Sequence, residues 1–245
     1  MLLRKTMKVA TVIPTYNEVK NIIVLVPSIL KVFREEAIDG RVIIVDDSSP
    51  DGTGKLAEEF ATNEDRVFVL KRPSKMGIGS AYKDGMKYAL STSYDNIIEI
   101  DADLSHNPAF IPSFVEKINE GYDLVIGSRY VPGGGTENWS FYRRAVSGFT
   151  NRFAKLLFGL PANDSTSGYR AYSSKALKTI DLSSVESEGY AFQVEMLMRS
   201  HRLGLKICEI PITFEGRKEG KSKLNRGEAW DFLRTIIRLK IRDST

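Results

Sequence analysis

Cysteine is almost missing from this chain of 245 residues: Cys208 is the only one. A single thiol builds neither a disulfide framework nor a thiolate cage for a metal, and a reducing compartment fits. Histidine is nearly as scarce. His106 and His201 are not spaced as a metal pair, and both read as ordinary polar positions. Long apolar runs are also lacking. None approaches the ~18–20 residues of a membrane span. The opening Met1-Leu2-Leu3-Arg4-Lys5-Thr6-Met7 has no apolar stretch of the signal-peptide kind. The expectation is a chain that is soluble or touches a membrane from one side. Neither sign of charge dominates. The 35 basic and 31 acidic residues leave a net charge of +4. That balance permits anionic ligands and does not point to nucleic acid as a partner. No internal repeat and no linker rich in Pro, Gly or Ser interrupts the chain.

What is present is core material. The 42% hydrophobic and 10% aromatic content is too high for disorder. At this length about 70–75% of the unfolded surface is buried on folding, so one large domain is expected. Near-continuous apolar runs occur at Val9–Ile13, Val42–Val45, Val67–Leu70, Ile97–Ile100 and Leu124–Ile126. Runs of this kind mark parallel strands buried on both faces. Helical patterns lie between them: Asn21 to about Glu36, with Pro27 breaking or restarting it; Thr53–Ala61, with Asp51 as N-cap; Gly79–Leu90; and Asn107-Pro108 to about Glu120, where a cap precedes a proline. Strand and helix alternating at these intervals give βαβ units and a doubly wound, Rossmann-like α/β sheet. The second half reads as helices Phe141–Phe158 and Ala191–His201, a strand Ile207–Phe214 and a closing helix Gly227–Ile241. It is expected to cover and complete the first half.

Ligands of open α/β sheets bind beyond the carboxyl ends of the strands. Four such ends carry polar residues here: Thr15-Tyr16-Asn17-Glu18, Asp46-Asp47-Ser48-Ser49, Asp101-Ala102-Asp103 and Ser128-Arg129-Tyr130. Turn and cap roles explain any one of them, but not the coincidence of four. The sharpest feature is Asp101-Ala102-Asp103. Carboxylates two apart at a strand exit point the same way and can share one hard divalent cation, Mg²⁺ or Mn²⁺. Gly77-Ile78-Gly79-Ser80-Ala81-Tyr82 lacks the third glycine of a dinucleotide loop. Gly216 to Ser222 falls one residue short of a phosphate loop. A nucleoside triphosphatase using Lys221 and Ser222, and a non-catalytic sugar-nucleotide binder, are the competing readings.

The blocks Pro14-Thr15-Tyr16-Asn17-Glu18, Val45 to Thr53 and Asp101 to His106 resemble the nucleotide-sugar half of the family-two, GT-A-fold glycosyltransferases. With Gly127-Ser128-Arg129-Tyr130, Asn138 to Arg144 and Gly216 to Leu224, the chain is similar to the dolichol-phosphate mannose synthases, or polyprenyl-phosphate mannosyltransferases, from about Lys8 to Leu239. The resemblance implies a single GT-A domain with a nucleotide-sugar half at 8–130, an acceptor half with a basic flap at 131–226 and a C-terminal amphipathic helix at 227–245. It implies transfer of mannose from GDP-mannose to dolichyl or polyprenyl phosphate with inversion, or a related transfer from UDP-glucose or another donor. Pro14, Tyr16, Glu18, Val45 and Asp47 would hold base and ribose. Asp101 and Asp103 would carry the metal, Ala102 would pass close by, and Ser105 stands where some relatives have a glutamine ligand. Arg217 and Lys223 would clamp the donor phosphates. Arg129, with Arg143, Ser147 and Asn151 at four-residue spacing, would take the acceptor phosphate. Asp47 and Asp164 would orient substrate. No Gln-x-x-Arg-Trp sequence occurs, which argues against a processive polysaccharide synthase.

A lipid acceptor implies contact with the membrane surface from the cytoplasmic side. In the last helix Trp230, Leu233 and Ile237 form an apolar face and Arg234, Arg238 and Arg242 a basic stripe, as in an interfacial helix. Packing on the core is the alternative. Some relatives continue into transmembrane helices. A chain that stops at Thr245 is an unanchored form, a form recruited by a membrane-anchoring subunit, or a shortened one.

Overall fold

The computed structural model describes residues 7–216 and 226–242. All five expected strands of the first half form: β1 (Lys8–Thr15), β2 (Asp39–Asp46), β3 (Val67–Lys71), β4 (Asn96–Glu99) and β5 (Leu124–Ser128). Between them lie α1 (Val19–Glu35), α2 (Thr53–Asn63), α3 (Ile78–Ser91) and α4 (Ile111–Asn119). Along β1, Ala10 and Val12 enter one core cluster, and Val9 and Ile13 the other. The strand is buried on both faces, which is why its sequence shows no alternation.

The second half adds β6 (Gly135–Thr136), α5 (Phe141–Phe158), β7 (Arg170–Ser173), α6 (Ser174–Thr179), α7 (Gly189–Arg202), β8 (Ile207–Pro211), β9 (Thr213–Phe214) and α8 (Arg226–Arg242). The main sheet runs β3-β2-β1-β4-β7-β5-β8. Every pairing in it is parallel except those of β7, which inserts antiparallel between β4 and β5. The fold is therefore a mostly parallel α/β sheet in a single domain, as the resemblance implied. The carboxyl ends of β1, β2, β4 and β5 share one edge.

Two expectations change. Pro27 does not break α1, which runs through it. Pro27 is exposed, so the carbonyl it leaves without an N–H partner faces water, and Ser28 Oγ donates to the Val24 carbonyl at 2.8 Å. The strand expected over Ile207–Phe214 splits at Ile212. β8 joins the main sheet beside β5, and β9 pairs with β6 in a second small sheet. α8 packs against α7 and α5. Phe232, Ile236 and Leu239 are its buried stripe, whereas Ile237, of the apolar face read from the sequence, is 45% exposed beside exposed Arg234 and Arg238. The side chains of Trp230, Leu233 and Arg242 lie outside the described residues.

Candidate active site

A cleft of about 410 Å³ opens at the shared sheet edge. Pro14 and Glu18 after β1, Asp101-Ala102-Asp103 after β4, and Ile78 and Tyr82 of α3 line one side. Thr166 and Gly168, residues 188–193 at the start of α7, and Phe232 of α8 line the other.

Asp101 accepts a hydrogen bond from the Tyr82 hydroxyl at 2.8 Å. Its side chain is 28% exposed. Burial, and then the Asp101 charge, push the Tyr82 phenol well above its ordinary pKa, so it stays a donor to the carboxylate. Gly168 passes so close that a Cβ there would stand 3.1 Å from Asp101 Oδ2. Asp103 Oδ1 accepts from the Ser105 N–H at 3.0 Å, closing a tight turn in which Leu104 adopts φ 63°. Ser105 is fully buried, and its hydroxyl has no hydrogen-bond partner among the described residues. No group of three or more His, Cys, Asp or Glu among the described residues could hold a metal by itself. Two carboxylates opening on one cleft fit a small hard cation that completes its shell with phosphate and water oxygens. A site built for zinc would need more protein ligands.

His106, read as an ordinary polar position, is a buried strut under this turn. Its ring stacks on Tyr169 at 5.0 Å and meets Phe214 edge-on at 5.2 Å. Burial holds its pKa below the ordinary value, against the pull of Asp101 and Asp103, so the neutral ring is favoured.

The remaining acids at the sheet edge are mostly structural. Asp46 accepts from Thr15 Oγ1 at 3.0 Å and from Ser49 Oγ at 2.6 Å. Asp51 accepts from the N–H groups of Thr53 and Val19, tying the starts of α2 and α1 together. Gly52, at φ 93°, takes the N-cap position expected for Asp51. Asp47 makes a buried ion pair with Arg72 and accepts from the Met76 N–H at 3.0 Å. Arg72 also donates to Ser80 Oγ at 2.7 Å and to the Gly77 carbonyl at 2.9 Å. Asp47 thus acts on the loop from Arg72 to Ser80. The Val45 side chain is wholly buried in the core, and Tyr16, half-buried and not among the residues lining the cleft, has Lys75 Nζ 4.3 Å from its ring centroid.

The residues expected to take the acceptor phosphate gather in one place beside the cleft. Arg129 and Arg143 both lie over the Trp139 ring, at 5.3 and 4.1 Å. Ser147 accepts from the Tyr130 hydroxyl at 2.7 Å. Arg129 is held by Asp164 in a bidentate pair, Nε to Oδ2 at 2.7 Å and Nη2 to Oδ1 at 2.6 Å, and Nη2 also donates to Thr166 Oγ1 at 2.9 Å. Thr166 lines the cleft, so the two regions share a wall. Burial alone would raise the Asp164 pKa, but the guanidinium outweighs it and holds the carboxyl below its ordinary range. Asn151 is committed to its own scaffold: Oδ1 accepts from Ser165 N and Thr166 N, and Nδ2 donates to the Ser147 carbonyl. Arg217 and Lys223 lie outside the described residues.

Sequence reasoning missed three residues. Arg72 is one. Arg170, fully buried on β7, donates to the carbonyls of Ser165, Ser167 and Gln193 and so fixes the loop behind Asp101. Glu188 accepts from the N–H groups of Gly79 and Ser80 at 2.8 and 2.9 Å, capping α3 from across the cleft. The near-miss glycine pattern at Gly77 and Gly79 marked this spot, since a Cβ on Gly77 would come 2.5 Å from that carboxylate.

The sequence model of glycosyl transferase family 2 matches residues 11–181, which contain this entire sheet edge. The chain belongs to that family. This glycosyltransferase is 44% identical over 221 residues to an undecaprenyl-phosphate mannosyltransferase of Micrococcus luteus, covering 90% of this chain and 89% of that one. It is 42% identical over 223 residues to a polyprenol monophosphomannose synthase of Mycolicibacterium smegmatis, covering 91% and 83%. Its fold is similar to that of glucosyl-3-phosphoglycerate synthase from Mycobacterium tuberculosis, solved with UDP (TM-score 0.69, 21% identity, 96% of this chain and 80% of that chain). It is similar also to the same enzyme with Mn²⁺, UDP and glucosyl-3-phosphoglycerate (TM-score 0.67, 21% identity, 95% and 79%). At that identity the likeness concerns the fold.

Proposed function

We propose that this glycosyltransferase moves mannose from GDP-mannose to the phosphate of a polyprenol such as dolichol, with inversion at the sugar carbon. The observation that carries the reading is Asp101 and Asp103 opening on a cleft whose wall is shared with the Arg129, Arg143 and Ser147 cluster. The two relatives above 40% identity, both named for mannose and a polyprenyl acceptor, support mannose as the transferred sugar and a polyprenyl phosphate as the acceptor.

The acceptor phosphate is already ionised near neutral pH, so no side chain has to remove a proton. A phosphate oxygen attacks the sugar carbon from the face opposite the nucleotide. One carbon–oxygen bond forms, the bond to the diphosphate breaks, and an α-linked donor gives a β-linked lipid. Mg²⁺ or Mn²⁺ on Asp101 and Asp103 would supply positive charge to the departing diphosphate. Arg143 and Ser147 hold the acceptor, with Arg129 fixed beneath them by Asp164. Pro14, Tyr16 and Glu18 seat base and ribose, and Asp47 holds the neighbouring wall through Arg72. Arg217 and Lys223 act on the donor phosphates.

The test is transfer of labelled sugar to a polyprenyl phosphate, with GDP-mannose and UDP-glucose run side by side. Labelled lipid is expected from GDP-mannose, and label only from the UDP sugar would end the mannose reading. Asp103→Ala should lower transfer by at least about 10²–10³-fold with the fold intact. Unchanged turnover would remove the assigned metal role.

A further inference from the structure

The two arginines of the acceptor cluster share one buried tryptophan. Trp139 is 7% exposed, and the guanidinium carbons of Arg143 and Arg129 lie over its ring, 4.1 and 5.3 Å from the centroid. Its indole N–H is buried and has no hydrogen-bond acceptor among the described residues. Burying a donor unpaired is unfavourable, and a phenylalanine or leucine would fill space without that cost. What only the indole adds is the ring face most attractive to a cation. Local structure places the ring. Ser140 caps α5, its Oγ accepting from the Arg143 N–H at 3.2 Å. The residue before the cap and the arginine of the first turn are thereby brought together. Phe214 in turn meets Trp139 at 5.3 Å and His106 at 5.2 Å, edge-on in both cases. Phe214 is itself fixed by backbone pairing with Thr136 and by a bridge to His106. The next residue, Glu215, donates its N–H to the Ser105 carbonyl at 3.1 Å. The ring stack is therefore anchored on the turn that carries Asp103.

We infer that Trp139 is a positioning residue for the acceptor phosphate. It holds the Arg143 guanidinium against its ring. Through Phe214 and His106 it also sets the acceptor arginines at a fixed place relative to Asp101 and Asp103. The inference rests on the reading above, in which the acceptor is a lipid phosphate. Charge gives the reason for such a platform. A carboxylate holds an arginine by cancelling its charge, as the buried Asp164 does for Arg129. An aromatic face attracts a guanidinium yet carries no net charge. It therefore fixes the arginine without weakening the positive field that an incoming phosphate meets. Ordering a long side chain only when the ligand arrives costs affinity, and ordering it beforehand removes that cost. The same anchoring serves the chemistry, because attack requires the acceptor oxygen to be held close to the sugar carbon of a donor placed by the metal turn.

Steady-state kinetics of the full chain and of Trp139→Leu and Trp139→Phe test this, with a short-chain, water-soluble isoprenyl phosphate as acceptor. Trp139→Leu should raise KM for the acceptor by about five- to thirtyfold. KM for the nucleotide sugar should stay within about twofold of wild type. Trp139→Phe, which keeps an aromatic face, should recover most of the loss. A second readout does not depend on the leucine variant folding. The chain has one other tryptophan, Trp230, so in a Trp230→Phe background the emission reports on Trp139. Adding the isoprenyl phosphate should change that emission saturably, and Arg143→Ala should abolish the response. An unchanged acceptor KM in folded Trp139→Leu would overturn the inference, as would an equal rise in KM for both substrates. Emission that ignores isoprenyl phosphate at concentrations that saturate transfer would overturn it too. A saturable emission change without sugar transfer from either donor would keep the role of Trp139 and sink the transfer reading.

Discussion

Asp164 shows how far a single carboxylate reaches here. It is fully buried and holds one edge of the Arg129 guanidinium, through Nε and Nη2. Removing its charge leaves a buried cation without a counter-charge, which costs about 3–5 kcal/mol. Asp164→Asn should therefore lose about that much stability in urea denaturation, whereas replacing both partners with apolar residues should cost less than the sum of the single changes. A loss below about 1 kcal/mol would mean the pair contributes little. The pH dependence follows from the direction of the shift. The folded carboxyl is held below its ordinary value of 3.8. Its stabilisation is complete above that pH and is lost as pH falls below it. Wild type should lose stability more steeply than Asp164→Asn below about pH 3.8, read from melts across an acid series. The same residue scale separates Asp101 and Asp103, which open on the cleft, from Asp46, Asp47 and Asp51, which are engaged in the scaffold.

At the scale of elements, α1 and β7 behave differently from their sequences for different reasons. Pro27 sits in the interior of a 17-residue helix that packs through Ile22, Leu25, Val26, Ile29, Leu30 and Phe33. That buried stripe outweighs the local cost of the proline. Pro27→Ala restores an N–H on the exposed face, worth up to ~3 kcal/mol, less ~0.4–1 kcal/mol for the freer unfolded chain. A gain of about 1–2 kcal/mol with unchanged transfer activity is expected from denaturant midpoints. A loss of stability would show that the helix needs the proline's fixed φ. β7 shows the opposite case. Arg170-Ala171-Tyr172-Ser173 has no apolar run, yet it lies in the middle of the sheet because β4 and β5 each leave it an edge. The Arg170 charge is accommodated by three carbonyls.

At the scale of the whole molecule, the cleft is assembled from segments on both sides of the sheet edge: the ends of β1 and β4, α3, the loop before β7, the start of α7 and α8. A ligand bound only by the assembled cleft stabilises the fold by linkage. GDP with Mn²⁺ at a hundredfold excess over Kd should add about 2.7 kcal/mol, which for a domain of this size raises Tm by about 5–10 °C. A chelator, or Asp103→Ala, should abolish most of the shift in differential scanning fluorimetry. An undiminished shift would place the nucleotide elsewhere.

The sequence alone determined the doubly wound sheet, because strands buried on both faces write themselves as continuous apolar runs that no distant residue has to explain. It also marked Asp101 and Asp103 as candidates; they line the cleft past the end of β4 at Glu99, in a turn closed by the Ser105 N–H. Tertiary structure alone decided the rest. Arg72 meets Asp47 across 25 residues, Asp164 meets Arg129 across 35, and Glu188 reaches Gly79 across 109. The same holds for α5, where Tyr142, Phe149 and Leu156 share a helical spacing yet stand exposed. Helical spacing shows that a stripe exists, but which stripe meets the core depends on what the rest of the chain places beside it.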